Sequence, residues 1–185
     1  MKLKLTYLYL IVLLTYYSNL FGQSKDLSIF SRIRKSQIAC LNHKINKDIK
    51  ERYSTILNLA KQVRFIVVPE IKKRDSIFFK DERNELDLVE GYDFAHGNIY
   101  GIIWKNNSIY SYYYNGTKDK TTVEKKELKE LLIEQKTILL NFIDWGNDIF
   151  KHQECGMGNS EGLYYFATKV IYLPKQVIKT TAFCY

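Results

Sequence analysis

The sequence predicts an α+β fold: a mainly antiparallel sheet with N-terminal helices and one further helix or helix pair packed on it. Three observations lead there. An apolar stripe at three- and four-residue steps marks the first part of the chain, a hairpin pattern runs from Asn98 to Tyr114, and two strand-like runs flank Pro174. Hairpins, rather than alternating β and α units, make an antiparallel sheet the expected arrangement.

The chain opens on the basic segment Met1-Lys2-Leu3-Lys4, continues in an apolar run from Leu5 to Leu14 and turns more polar from Thr15 to Gly22. That order is the pattern of an export signal, with cleavage expected before Gln23. Leu20 is not the small residue favoured two positions before Gly22. The run from Leu5 to Phe21 also falls near the ~20 residues a membrane span needs. An uncleaved signal is therefore the only membrane attachment expected. The first cysteine is Cys40, too far along for a lipid anchor at the signal. Residues 23–185 are expected to form a single secreted or periplasmic domain, long enough to bury roughly 70% of the surface an unfolded chain exposes.

Positive charge is concentrated early. Lys25 to Arg64 carries ten basic and three acidic residues, whereas Phe65 to Tyr185 carries 16 and 17. The same early region is helical in pattern, with Ile38, Leu41, Ile45, Ile49, Tyr53, Ile56, Leu59 and Val63 on one stripe. Lys44, Lys47 and Lys50 fall off that stripe and would form a basic outer face able to meet an anionic surface. Charge balance alone identifies no partner, and a solvated face that aids solubility needs none. Export removes nucleic acid as a target.

The β-branched run Arg64-Phe-Ile-Val-Val68, stopped by Pro69, is expected as a strand, and Asp75-Ser-Ile-Phe-Phe79 as a second. The hairpin pattern centres on Lys105-Asn106-Asn107-Ser108, where asparagine tolerates a left-handed backbone. It pairs Trp104 with Ile109 and sets Gly101 opposite Tyr112, a ring across a strand glycine. Trp104, Ile102, Tyr100, Ile109, Ser111 and Tyr113 then share one face, and Ile103, Gly101, Ile99, Tyr110, Tyr112 and Tyr114 the other. Thr121-Thr122-Val123-Glu124 resembles a capping box opening a helix that extends to about Phe150. Leu163 to Leu173 and Val177 to Tyr185 read as the last two strands.

Several groups could carry chemistry. Gly158-Asn159-Ser160-Glu161-Gly162 spells G-x-S-x-G, but a nucleophile elbow needs a strand before the serine and a helix after it, and here the order is inverted. No histidine follows Ser160 either. His152-Gln153-Glu154 imitates the start of a zinc deaminase signature without the P-C-x-x-C that completes it. A looser metal site would combine Asp93, His96, His152 and Glu154, a legal zinc set without a short ligand motif. In an exported chain Cys155 and Cys184 form the expected disulfide, closing a loop worth about 3 kcal/mol, with Cys40, in an early helix, left as an alternative partner for either or as a buried free thiol.

The tyrosines remain. Tyr110, Tyr112 and Tyr114 form an aromatic platform for a protein or glycan if their face is the uncovered one. The resulting expectation is an exported, non-catalytic domain that binds a macromolecular partner at the cell envelope or outside, inhibitor and immunity proteins being one such class. No cofactor is expected. The alternative is a metal-dependent hydrolase built on Asp93, His96, His152 and Glu154.

Overall fold

A computed structural model of the chain describes residues 29–40, 47–79, 85–105, 108–145, 148, 164–171 and 177–184. Helix α1 covers residues 29–40 and α2 covers Lys47–Arg74. A meander of four strands follows: β1 (Leu86–Asp93), β2 (Asn98–Lys105), β3 (Ser108–Asn115) and β4 (Lys120–Lys126). A single 3-10 turn at Leu128–Glu130 leads into α3 (Ile133–Trp145), and β5 (Tyr164–Ile171) and β6 (Val177–Cys184) complete the chain. The class is α+β, and every strand pairing is antiparallel in the order β4-β3-β2-β1-β5-β6. No helix among the described residues is long and apolar enough to cross a membrane.

Because side chains alternate along a strand, the sheet has two faces with separate cores. The first face, carrying Leu88, Tyr92, Ile99, Ile103, Tyr110, Tyr112, Tyr114 and Phe166, packs on α1 and α2 through Phe30, Ile33, Leu57, Val63, Val67 and Ile71. On the second face, Val89, Ile102, Ile109, Tyr165 and Ala167 are covered by Leu131, Ile138 and Leu139. Topology explains this second layer. The chain leaves the edge strand β4 and must reach β5 beside β1, so α3 lies across the second face against β1.

The hairpin register is the predicted one. Trp104 pairs with Ile109 and Gly101 with Tyr112.

Three expected elements are corrected. Arg64–Val68 is not a strand but part of α2, which runs through Pro69. Val63, Arg64, Val67, Val68 and Ile71 are all buried while Gln62, Ile66, Pro69 and Lys73 are exposed, a helical stripe whose burial outweighs the β preference of the valines and isoleucine. Asp75–Phe79 is a turn rather than a strand. Asp75 Oδ1 accepts from Ile77 N at 3.3 Å and Phe78 N at 3.1 Å, an Asx turn that stops the helix. Thr121–Glu124 lies inside β4, where Val123 pairs with Tyr112 and is buried. A cross-strand partner wins over the local capping pattern, and the capping bond forms later, from Glu127 N to Glu130 Oε2 at 2.7 Å.

The sheet edge at β4 is partly guarded. Arg74, in the last turn of α2, donates from Nη1 to the Val123 carbonyl at 2.8 Å and occupies a group that another strand could otherwise use.

Candidate functional site

The strongest concentration of polar chemistry lies between the first face and the helices. Arg64 of α2 and Glu90 of β1 form an ion pair whose side chains are 1% and 0% exposed. Arg64 Nε donates to Glu90 Oε1 at 2.7 Å, and Nη2 donates to Glu90 Oε2 and to Gln37 Oε1, the latter at 2.9 Å. Gln37, from α1, returns its Nε2 to Glu90 Oε2 at 2.9 Å and to Tyr92 Oη at 3.2 Å. Tyr92 Oη donates to Glu90 Oε2 at 2.7 Å, and Tyr112 Oη donates to Glu90 Oε1.

Tyr112 reaches Glu90 because Gly101 has no side chain. Glu90 pairs with Gly101 across β1 and β2, and Gly101 pairs with Tyr112 across β2 and β3. The phenol crosses the bare backbone of the middle strand, where a Cβ would overlap Cζ, Cε1 and Oη of the ring. The second face repeats the device one residue away: the Tyr165 ring crosses Gly91 of β1.

Electrostatics follow from geometry. Burial opposes charge on Glu90, but the Arg64 guanidinium and the donors around it outweigh that and hold the carboxyl below its ordinary value. Burial and the Glu90 charge push the Tyr92 and Tyr112 phenols well above theirs. The result is an ionised pair ringed by neutral hydroxyls. It ties α1, α2, β1 and β3 together.

On the second face Asp87 lies beside Lys169 and Glu85. Lys169 Nζ bonds Glu85 and stands 3.3 Å from Asp87 Oδ1, which lacks hydrogen-bond geometry despite that approach. Burial pushes the Asp87 carboxyl up to about 6, more than Lys169 pulls it down. Burial opposes charge on Lys169 as well, but the Glu85 bond and the two carboxylates raise its pKa.

The predicted site residues fare differently. Tyr110, Tyr112 and Tyr114 are 2%, 3% and 7% exposed beneath the helices, so this row is core and offers no platform. The reason is the covering of their face by α1 and α2.

Asp93 and His96 do meet, at 2.9 Å between Oδ2 and Nδ1. Asp93 is nevertheless fully used in closing the β1–β2 turn. Its Oδ1 accepts from Ala95 N and His96 N, and its Oδ2 also accepts from Asn98 Nδ2 at 3.2 Å. Burial opposes its charge, but these bonds together outweigh that and lower its pKa. His152, Glu154, Cys155, Ser160 and Lys44 lie outside the described residues, and for Lys47, Lys50 and Cys184 only the backbone is described. Among the described residues no group of three or more His, Cys, Asp or Glu is placed to hold a metal.

The row on the opposite face was not singled out from the sequence. Tyr100 and Tyr113 are cross-strand partners with ring centroids 4.9 Å apart and planes tilted by 31°. Both are half-buried and belong to neither apolar core. Asn98, Ser111, Asn115 and Thr122 surround them on the same face by register.

Comparison with known proteins finds no matching family model, no matching curated protein and no matching solved structure.

Proposed function

We propose that this chain is an exported, non-catalytic domain that binds a saccharide on the second sheet face at Tyr100 and Tyr113. The observation that carries the reading is the pair of half-buried rings Tyr100 and Tyr113, side by side and, among the described residues, outside the apolar cluster that α3 covers. A phenol offers an apolar face and a polar tip together, which suits the mixed surface of a sugar ring. Ser111 and Thr122 beside the rings add short neutral donors and acceptors, while Asp93, Lys120 and Glu124 lie further along the same face by register.

Size favours a saccharide over a protein partner. The patch is three strands wide and about four residues long, a footprint on the order of 150 Å² from strand spacing and rise. A standard protein interface needs about 800 Å² from each partner. A few sugar rings fit the smaller figure. The basic, apolar, then polar order of Met1 to Gly22 supports delivery to the envelope or beyond, where such ligands are displayed.

A glycan array followed by calorimetry tests the proposal, with Tyr100→Ala/Tyr113→Ala beside the parent. Loss of stacking by both rings is expected to weaken binding at least tenfold, a change of about 1.4 kcal/mol, with the melting temperature close to the parent's. Equal binding by the double variant would refute the site. Capture of a protein partner without any saccharide would refute the ligand class, and a native N-terminus other than Gln23 would refute the processing.

A further inference from the structure

Arg64 has three nitrogens, and the buried network uses only two. Nε and Nη2 are turned to Glu90, Gln37 and Tyr92. Nη1 is buried and makes no hydrogen bond to any described residue. Arg64 also lines a cavity of about 30 Å³ at the junction of α1, α2 and the sheet, with Phe30, Ile33, Val68, Leu88 and Ile103 among its walls. A guanidinium N–H without a partner in an apolar wall loses its hydration with nothing in return, a cost that native proteins rarely leave standing.

We infer that this cavity is a built-in hydration site, in which an ordered water accepts a hydrogen bond from Arg64 Nη1. Volume, charge and access each favour water over other occupants. A water needs about 10–15 Å³ of such space, so the cavity takes about two. An anion is the wrong partner, since Glu90 already neutralises Arg64 and a further negative charge would be buried without compensation. An apolar group would leave Nη1 unpaired. The cavity is not sealed, so an outer water can link the inner one to solvent and supply its second partner.

The site lies where α1 meets the core, through Ile29, Phe30 and Ile33 on the cavity wall. The seam between this helix and the sheet is therefore part wet, with the network of Gln37 on one side and the hydrated guanidinium on the other.

High-resolution crystallography of the protein, with and without xenon pressure, decides the matter. An ordered water within about 3 Å of Arg64 Nη1, and no xenon in the cavity, is the expected result. Xenon in the cavity would identify it as dry and overturn the inference, because apolar voids take xenon and hydrated ones do not. A protein side chain or carbonyl bonded to Nη1 would overturn it equally.

Discussion

Tyr112 lies with its ring across the backbone of Gly101, and the hydroxyl at its far end donates to Glu90 on the next strand. One missing side chain on β2 thus lets β3 reach β1. Gly101→Ala is expected to expel the ring and break the bond to Glu90, a combined cost of about 3 kcal/mol from overpacking and a lost charge-assisted hydrogen bond. Urea denaturation measures it. In the Tyr112→Ala background the same change should cost much less, and additive effects would show that ring and glycine are not coupled.

The Arg64–Glu90 pair makes a different kind of demand. Glu90→Gln or Arg64→Met leaves one partner charged and buried, which is expected to cost about 3–5 kcal/mol. Replacing both, as Arg64→Met/Glu90→Leu, should be less damaging than the sum of the singles, because no charge is left behind. A double variant as unstable as that sum would show that the pair's hydrogen bonds to Gln37, Tyr92 and Tyr112 dominate its contribution.

Stability should respond to pH through two carboxyls of opposite sign. Asp87 titrates at about 6 in the fold against an ordinary 3.8. Between those values the native state keeps a proton that the unfolded chain releases, so stability falls as pH rises across the window, by about 3 kcal/mol at most. Glu90 is held below its ordinary 4.5. Its contribution is present above that value and is lost as pH falls through the folded one. Denaturation midpoints from pH 3 to 8 should show both limbs. Asp87→Asn should flatten the region from about 4 to 6, and an unchanged slope there would remove Asp87 as its cause.

Asp93 and His96 should separate cleanly. Asp93→Ala removes the acceptor that closes the β1–β2 turn and is expected to cost about 1–2 kcal/mol, as loss of a capping carboxylate does. His96 is 69% exposed and contributes one bond to the same carboxylate, so His96→Ala should change stability by no more than about 0.5 kcal/mol. Thermal melts of the two variants test the contrast. Equal losses would mean that the imidazole has a larger role than the turn gives it.

Local pattern made part of this fold legible in advance. The hairpin between Ile99 and Tyr114 was readable to the register, because turn chemistry and period-two alternation agree there. The ring over Gly101 followed from that register. The α2 segment around Arg64 was not readable as helix, since its β-branched residues favour a strand and only contact with the sheet reveals which positions are buried. A strand reading of Arg64 hides its pairing with Glu90, as the partners are 26 residues apart on elements that meet only in the folded chain. Alternation sets Tyr110, Tyr112 and Tyr114 in one row, but which face the helices cover depends on packing rather than alternation.

Gly91 and Gly101 have a consequence for assembly of the sheet. Each is a gap sized for one ring, and the two gaps are offset by one residue on neighbouring strands, so that Tyr165 and Tyr112 drop into opposite faces like two pins in a lock. Sliding β3 along β2 by one residue would turn its apolar side outward. Sliding it by two would keep the sides right but drive the Tyr112 ring into Ile99 or Ile103 instead of Gly101. A mispaired chain therefore meets a penalty at both the nearest errors, lost burial at one step and a steric clash at two, and proofreading of strand alignment is built into the centre of the sheet.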